Sequence, residues 1–180
     1  MHRRREAIDG ALARLIAERT GRGVVVETRV RLGLPVEDAV NSLGGAGTTT
    51  FDAAVWAPRF GEELRYRTLR RSRTAIRTML DQFRAQSEVF LVLCQLPIPV
   101  DTDWRSSMRR PHVAAYNAIL ANEAPSVPGV TSVALGTYVP TDPASTTASW
   151  HNTQAELLAP AILHAIRATR ETEMSTALLP

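Results

Sequence analysis

The residues best suited to chemistry in this chain are residues 147–153, Thr-Ala-Ser-Trp-His-Asn-Thr, directly before a long helical pattern. A histidine beside an aromatic residue, in a polar loop that leads into a helix, suits the general base of an α/β enzyme. Its ordinary pKa of about 6.5 lets histidine exchange protons near neutral pH. His151 is therefore the first candidate catalytic residue. The alternative is a histidine that only covers the start of the helix.

Other side chains are weaker candidates. Ser42, Ser107 and Ser149 are potential nucleophiles, but none occupies a recognisable nucleophile turn, which favours ordinary surface serines. Asp142 is a candidate to orient His151, with a solvated loop aspartate as the simpler interpretation. The glycine-rich residues 44–47 lack the Gly-Lys-Ser/Thr of a phosphate loop, which favours a plain turn.

Cys94 is the only cysteine, so no disulfide can form within the chain and metal-ligand spacings are absent. Its neighbours Leu91, Val92 and Leu93 predict a buried thiol that behaves as a small hydrophobic side chain. The sequence therefore predicts no metal site and no cofactor.

The composition, 44% apolar and 22% charged over 180 residues, predicts one globular domain over residues 1–180, with 171–180 as a frayed tail. No apolar run reaches transmembrane length. The basic start continues as an amphipathic pattern, unlike a secretory signal. We therefore expect a cytoplasmic location if Met1 is the true start. The oligomeric state stays open.

Positive charge is concentrated in the first half of the chain. Residues 1–90 carry 16 Arg against 11 Asp and Glu, residues 91–180 carry 5 against 7, and lysine is absent. The predicted helix 64–86 has seven of these arginines and one acid, Asp81. Such a surface can bind acidic or phosphate-rich partners. It lacks interleaved aromatic residues and any nucleic-acid motif, so a solvated face is favoured and nucleic acid is not expected.

Apolar periodicity predicts alternating helices and strands. Helices are predicted at residues 4–19, 64–86, 110–122 and 153–170, with a short one from Pro35, and strands at 24–30, 51–57, 88–95 and 130–135. The unbroken apolar run in 88–95 is typical of a strand that is covered on both faces. This alternation predicts an α/β fold with a parallel sheet between two layers of helices.

Ligands of such sheets bind at the carboxyl ends of the strands. Three loops should meet at that edge: the loop of Gly33, the loop 58–62 and the loop of His151. This convergence favours His151 as a site residue over a histidine that only covers the helix.

With these segments placed, the chain resembles the SGNH/GDSL-type hydrolases, the esterase and lipase superfamily with a flavodoxin-like sheet, from about residue 4 to 166. Residues 31–35, Arg-Leu-Gly-Leu-Pro, resemble the block whose glycine supplies an oxyanion-hole N–H, a role that falls to Gly33. Residues 51–57 resemble the strand before the third block, and 96–99 the proline-containing loop after the fourth strand. Residues 149–152 resemble the block with the catalytic histidine, here His151.

The resemblance implies a three-layer α/β/α sandwich that hydrolyses a small-molecule ester by a serine mechanism. The departures are substantial. The Gly-Asp-Ser block has no counterpart, the loop 58–62 lacks the asparagine donor, and Ala148 stands where the aspartate is expected. Loss of one triad member typically costs about 10⁴ to 10⁶ in rate, so we expect weak activity or none.

Two further expectations follow from this resemblance. Because the first strand of the flavodoxin-like sheet has no counterpart, either the natural protein continues upstream of this sequence or residues 24–30 pair directly with 51–57, and we expect the direct pairing. The alternative function is a non-catalytic binding module on the same fold, with the arginine-rich helix 64–86 turned to acidic partners.

Overall fold

The structure is a computed structural model that describes residues 8–28, 36, 51–58, 68–87, 89–99, 104–138 and 147–177. Its helices are α1 (Ile8–Thr20), α2 (Leu69–Gln86), α3 (Trp104–Glu123) and α4 (Thr147–Ala177), with a 3₁₀ turn at Ala124–Ser126. Its strands are β1 (Ala53–Trp56), β2 (Phe90–Cys94), β3 (Ile98–Pro99), β4 (Val130–Val133) and β5 (Thr137–Tyr138).

Within the described residues, the main sheet has three parallel strands in the order β1-β2-β4. Leu91 of β2 lies opposite Ala54 on one side and Val130 on the other. Parallel neighbours need a crossover, and α2 and α3 supply the two crossovers of this sheet. The predicted α/β class with a parallel sheet is thereby confirmed.

Strand β2 is buried on both faces, as its unbroken apolar run predicts. Leu91 and Leu93 pack into a core formed mainly with α2 and α3. Val92 and Cys94 pack into a second core formed with α1 and α4. Because successive side chains of a strand point to opposite faces, this single strand joins the two cores.

Helix α2 shows how sequence pattern fixes the orientation of an element. Ile76, Met79, Leu80 and Phe83 recur at helical spacing and are all buried against the sheet. Thr68 caps the helix, because its hydroxyl accepts a hydrogen bond from the Arg71 N–H at 3.3 Å. The arginines of the helix are left on its outer surface and flanks.

The prediction of a strand at residues 24–30 is wrong for the part that the structure describes, residues 24–28. Residues 23–28 form no strand, and β1 pairs with β2, not with them. Residues 29 and 30 lie outside the described residues. Val25 is 92% exposed, and β-branched residues favour strands only where a sheet gives them a surface to pack on. Three described strands therefore make up the main sheet, where four were expected.

Two further differences concern element ends. The segments that follow β2 and β4 pair with each other as strands β3 and β5, with Ile98 opposite Thr137. Both segments were expected to be loops. Helices α3 and α4 both begin before their predicted starts at residues 110 and 153, and α4 continues past the predicted end at residue 170 to Ala177. Pro111 and Pro160 lie inside these helices.

Candidate active site at the carboxyl edge of the sheet

His151 lies in the first turns of α4 and is half-buried. One turn later, Gln154 is buried and its Nε2 donates to the backbone C=O of Leu135 at 2.9 Å. Leu135 lies two residues after Val133, the last residue of β4, so this bond fixes the first turns of α4 near the carboxyl end of that strand. His151 precedes Gln154 by three residues, so it lies on the same face of α4, about 4.5 Å nearer to the N-terminus of the helix.

The neighbour of His151 is held by α1. Arg14 Nη2 donates to Asn152 Oδ1 at 2.8 Å. Helices α1 and α4 also share the second core, in which Leu12 and Ile16 meet Leu158. The histidine is therefore carried on a helix that is fixed both by packing and by hydrogen bonds at its first turns.

An open groove of about 450 Å³ lies against the first half of α1. Its lining residues come from α1 and from the segment after it: Asp9, Gly10, Ala13, Val26, Glu27 and Thr28. The Asp9 carboxylate accepts from the Gly10 N–H at 2.9 Å and from the Thr28 hydroxyl at 3.4 Å. The groove and His151 thus lie on neighbouring helices.

Strand β2 and its following loop make up the next part of this edge. The Leu96 N–H donates to Asn117 Oδ1 at 2.8 Å, and Asn117 Nδ2 donates to the Leu96 C=O at 2.7 Å. Gln95 donates from its backbone N–H to the Val133 C=O at 2.8 Å and from Nε2 to the Ser132 hydroxyl at 3.3 Å. The loop after β2 is therefore held by both α3 and β4.

Most of the expected partners of His151 lie outside the described residues. These are Gly33, the loop residues 59–62, Ser42 and Asp142. Ser107 belongs to helix α3. Ser149 is exposed in the first turn of α4, and its backbone C=O accepts from the Thr153 hydroxyl at 3.1 Å. The predicted meeting of Gly33 with His151 stays a prediction.

Sequence reasoning missed a charged cluster on the opposite side of the sheet. Glu123, at the end of α3, accepts from Arg73 Nε on one carboxylate oxygen and from Arg77 Nε on the other, each at 2.5 Å. Burial alone would raise the pKa of Glu123, but hydrogen bonds from Arg77 and Arg73, and their charges, lower it. The signals in the sequence were the arginine-rich helix 64–86 and a single glutamate directly after the helix predicted at 110–122, and nothing in the sequence joins the two.

Cys94 is buried, as its apolar neighbours predict. Burial raises the pKa of its thiol to about 12, so the neutral form prevails at physiological pH. Within the described residues, no group of three His, Cys, Asp or Glu side chains is arranged to hold a metal ion. No helix in these parts of the chain has the length and hydropathy needed to cross a membrane.

Comparison with protein-family models, with curated proteins and with solved structures gives no match for this chain.

Proposed function

We propose that this chain has the flavodoxin-like, three-layer scaffold of the SGNH/GDSL-type hydrolases and supports weak ester hydrolysis with His151 as the general base. The observation that carries the proposal is the hydrogen bond from Gln154 to Leu135, which fixes the first turns of α4 at the carboxyl end of β4. Parallel α/β sheets bind ligands at that edge.

The strand order supports the scaffold. In the flavodoxin-like order 2-1-3-4-5, the third, fourth and fifth strands are consecutive neighbours. The described order β1-β2-β4, with a helix between each pair, matches that run. Core side chains on both faces of β2 agree with helices above and below the sheet.

The proposed chemistry uses His151 first as a general base and then as a general acid. A hydroxyl attacks the ester carbonyl carbon while the neutral imidazole accepts its proton, and the imidazolium then returns that proton to the leaving alkoxide. In the superfamily that the chain resembles, the hydroxyl is a serine. Because this sequence holds no Gly-Asp-Ser block, water is the attacking group that we propose here, and the rate is correspondingly low.

A p-nitrophenyl acetate assay with a matched pair of variants tests the proposal. His151→Ala should lower the weak turnover by at least about tenfold, since it removes the general base. His164→Ala is the control, because His164 lies on the same helix and contacts Phe90 edge-on, 5.9 Å between ring centroids. A fluorophosphonate probe should label no serine.

Two results would reject the hydrolase proposal. One is turnover of the unaltered chain no faster than that of the two variants. The other is turnover that His164→Ala and His151→Ala reduce equally, which would reflect general damage to α4. Serine labelling at Ser42, Ser107 or Ser149 would keep the hydrolase proposal and replace water by that serine.

A further inference from the structure

We propose that Arg73 and Arg77 on α2, both held by the carboxylate of Glu123, form together with Arg70 a binding site for the phosphoryl group of a small ligand. The site lies on the α2–α3 side of the sheet, whereas His151 is carried by α4 on the α1–α4 side. It therefore does not depend on the proposed hydrolase activity.

Glu123 is the buried residue that orients the arginines of this site. Its side chain is 3% exposed, and each of its carboxylate oxygens accepts one N–H from a different guanidinium. A buried carboxylate is costly unless it is paired, and here both oxygens are paired. The two arginines stand one helical turn apart, so one carboxylate fixes two neighbouring guanidinium planes.

The outer donors of these arginines remain available. A guanidinium carries five N–H groups, and Glu123 takes only the Nε–H of Arg73 and of Arg77. Their side chains are 54% and 58% exposed, so more than half of each is open to solvent. Two such planes that are already oriented lose less conformational entropy on binding an oxyanion than two mobile arginines would.

Helical spacing adds charge to the same flank. Arg70, Arg73, Arg77 and Arg84 are separated by three, four and seven residues, which places them on one side of α2. With the carboxylates of Asp81 and Glu123 on that side, the flank has a net charge of +2. The first turn of α2 carries no acidic residue, and the positive end of the helix dipole lies at this N-terminus and adds positive potential.

The dimensions favour a single phosphoryl group over a nucleic acid. Arg70 and Arg77 are seven residues apart, which is about 10 Å along a helix. The exposed residues described on this flank include no aromatic ring on which a base could stack. A dianionic phosphoryl group matches the net charge, and paired arginines bind such groups through two parallel hydrogen bonds.

Titration of the full chain with inorganic phosphate at fixed ionic strength, followed by the arginine Nε–H resonances in NMR spectra, tests the site. The resonances of Arg73 and Arg77 should shift with saturation. Arg70→Gln and Arg77→Gln should each weaken binding by about threefold or more, since each removes a charged donor. Arg71→Gln is the matched control, because Arg71 is exposed on the other flank of the same helix.

Glu123→Gln separates a prearranged site from simple charge attraction. It adds one unit of positive charge but releases the guanidiniums, so a prearranged site should bind phosphate about threefold more weakly. Arg70→Gln, which leaves the Glu123 pairing intact, keeps the test valid if Glu123→Gln unfolds the chain. The proposal is overturned if phosphate gives no saturable shift, if Arg71→Gln weakens binding equally, or if only a DNA duplex binds.

Discussion

The side-chain amide of Asn117 closes a ring of two hydrogen bonds on the backbone of Leu96, with distances of 2.8 and 2.7 Å. Both residues are buried, and Leu96 is the second residue after the end of β2, at the carboxyl edge of the sheet. Asn117 thus replaces the partners that a neighbouring strand would give to the backbone of Leu96. This bond pair joins α3 to the edge on which the candidate active site depends.

Asn117→Ala should destabilise the chain by about 2–4 kcal/mol, because it leaves the buried N–H and C=O of Leu96 without partners. Urea unfolding followed by circular dichroism measures the change. Asn122→Ala is the control, since Asn122 is exposed on the same helix, and it should change the free energy of unfolding by no more than about 0.5 kcal/mol. Equal effects of the two substitutions would contradict the structural role of the amide.

Glu123 predicts a pH dependence of stability. Its pKa in the folded chain is lowered from the usual value of 4.5, so the unfolded chain binds the proton more readily. The stabilisation from its ion pairs is complete above pH 4.5 and is lost as the pH falls through the folded pKa. Glu123→Gln should therefore cost about 1–3 kcal/mol at neutral pH. That cost should shrink progressively below pH 4.5.

The free energy of unfolding of the unaltered chain and of Glu123→Gln should be measured between about pH 3 and pH 7. This range includes the ordinary carboxyl pKa of about 4. Glu156→Gln, at an exposed position on α4, is the matched control and should show no such pH-dependent difference. A cost of Glu123→Gln that is the same at every pH would show that packing, not charge, explains the effect.

The parts of the fold that sequence could predict are those in which one physical effect decides the outcome. Leu91 to Cys94 form an unbroken apolar run, and a run of that kind has no solution other than burial on both faces. Ile76, Leu80 and Phe83 on α2 behave likewise, because their spacing leaves only one face to bury. The parallel sheet and its crossovers follow from these two elements.

The parts that sequence could not predict depend on a partner remote in the chain. Val24, Val25 and Val26 read as a strand by propensity, but a strand needs a neighbour, and β1 pairs with β2. The pairing of Glu123 with Arg73 and Arg77 joins residues 50 and 46 positions apart, respectively, which no local pattern records. His151 could be proposed from its context, whereas Gln154, which anchors it to β4, could not.

Gly129 and Gly136 allow backbone strain to be measured apart from side-chain contact. Both have φ of +74°, and a Cβ at Gly129 would lie 3.1 Å from Arg84 Nη2, while a Cβ at Gly136 would meet nothing within 4 Å. Gly136→Ala should cost about 1–2 kcal/mol from the left-handed backbone alone. Gly129→Ala should cost only a few tenths more, since the end of the Arg84 side chain can move.

Gly23→Ala is the control for these two glycines, because Gly23 has neither a positive φ nor a nearby atom within 4 Å, and it should be nearly neutral. Thermal unfolding of the three variants gives the comparison. If Gly129→Ala costs far more than Gly136→Ala, the Arg84 side chain is held rigidly, and its 3.3 Å hydrogen bond from Nη1 to the Ser87 C=O is a firm contact.

Cys94 should be unreactive toward Ellman's reagent until the chain unfolds. It is buried in β2 and its pKa is raised to about 12 by burial, so at pH 8 only roughly one thiol in ten thousand would be ionised. The reaction should therefore appear in urea with the same midpoint as the loss of helical circular dichroism, and one thiol should be released per fully unfolded chain. Rapid labelling in native buffer would mean that β2 opens without global unfolding. That would contradict the burial of Cys94 in the second core, because the helices of that core must separate from β2 before the reagent can reach the sulfur.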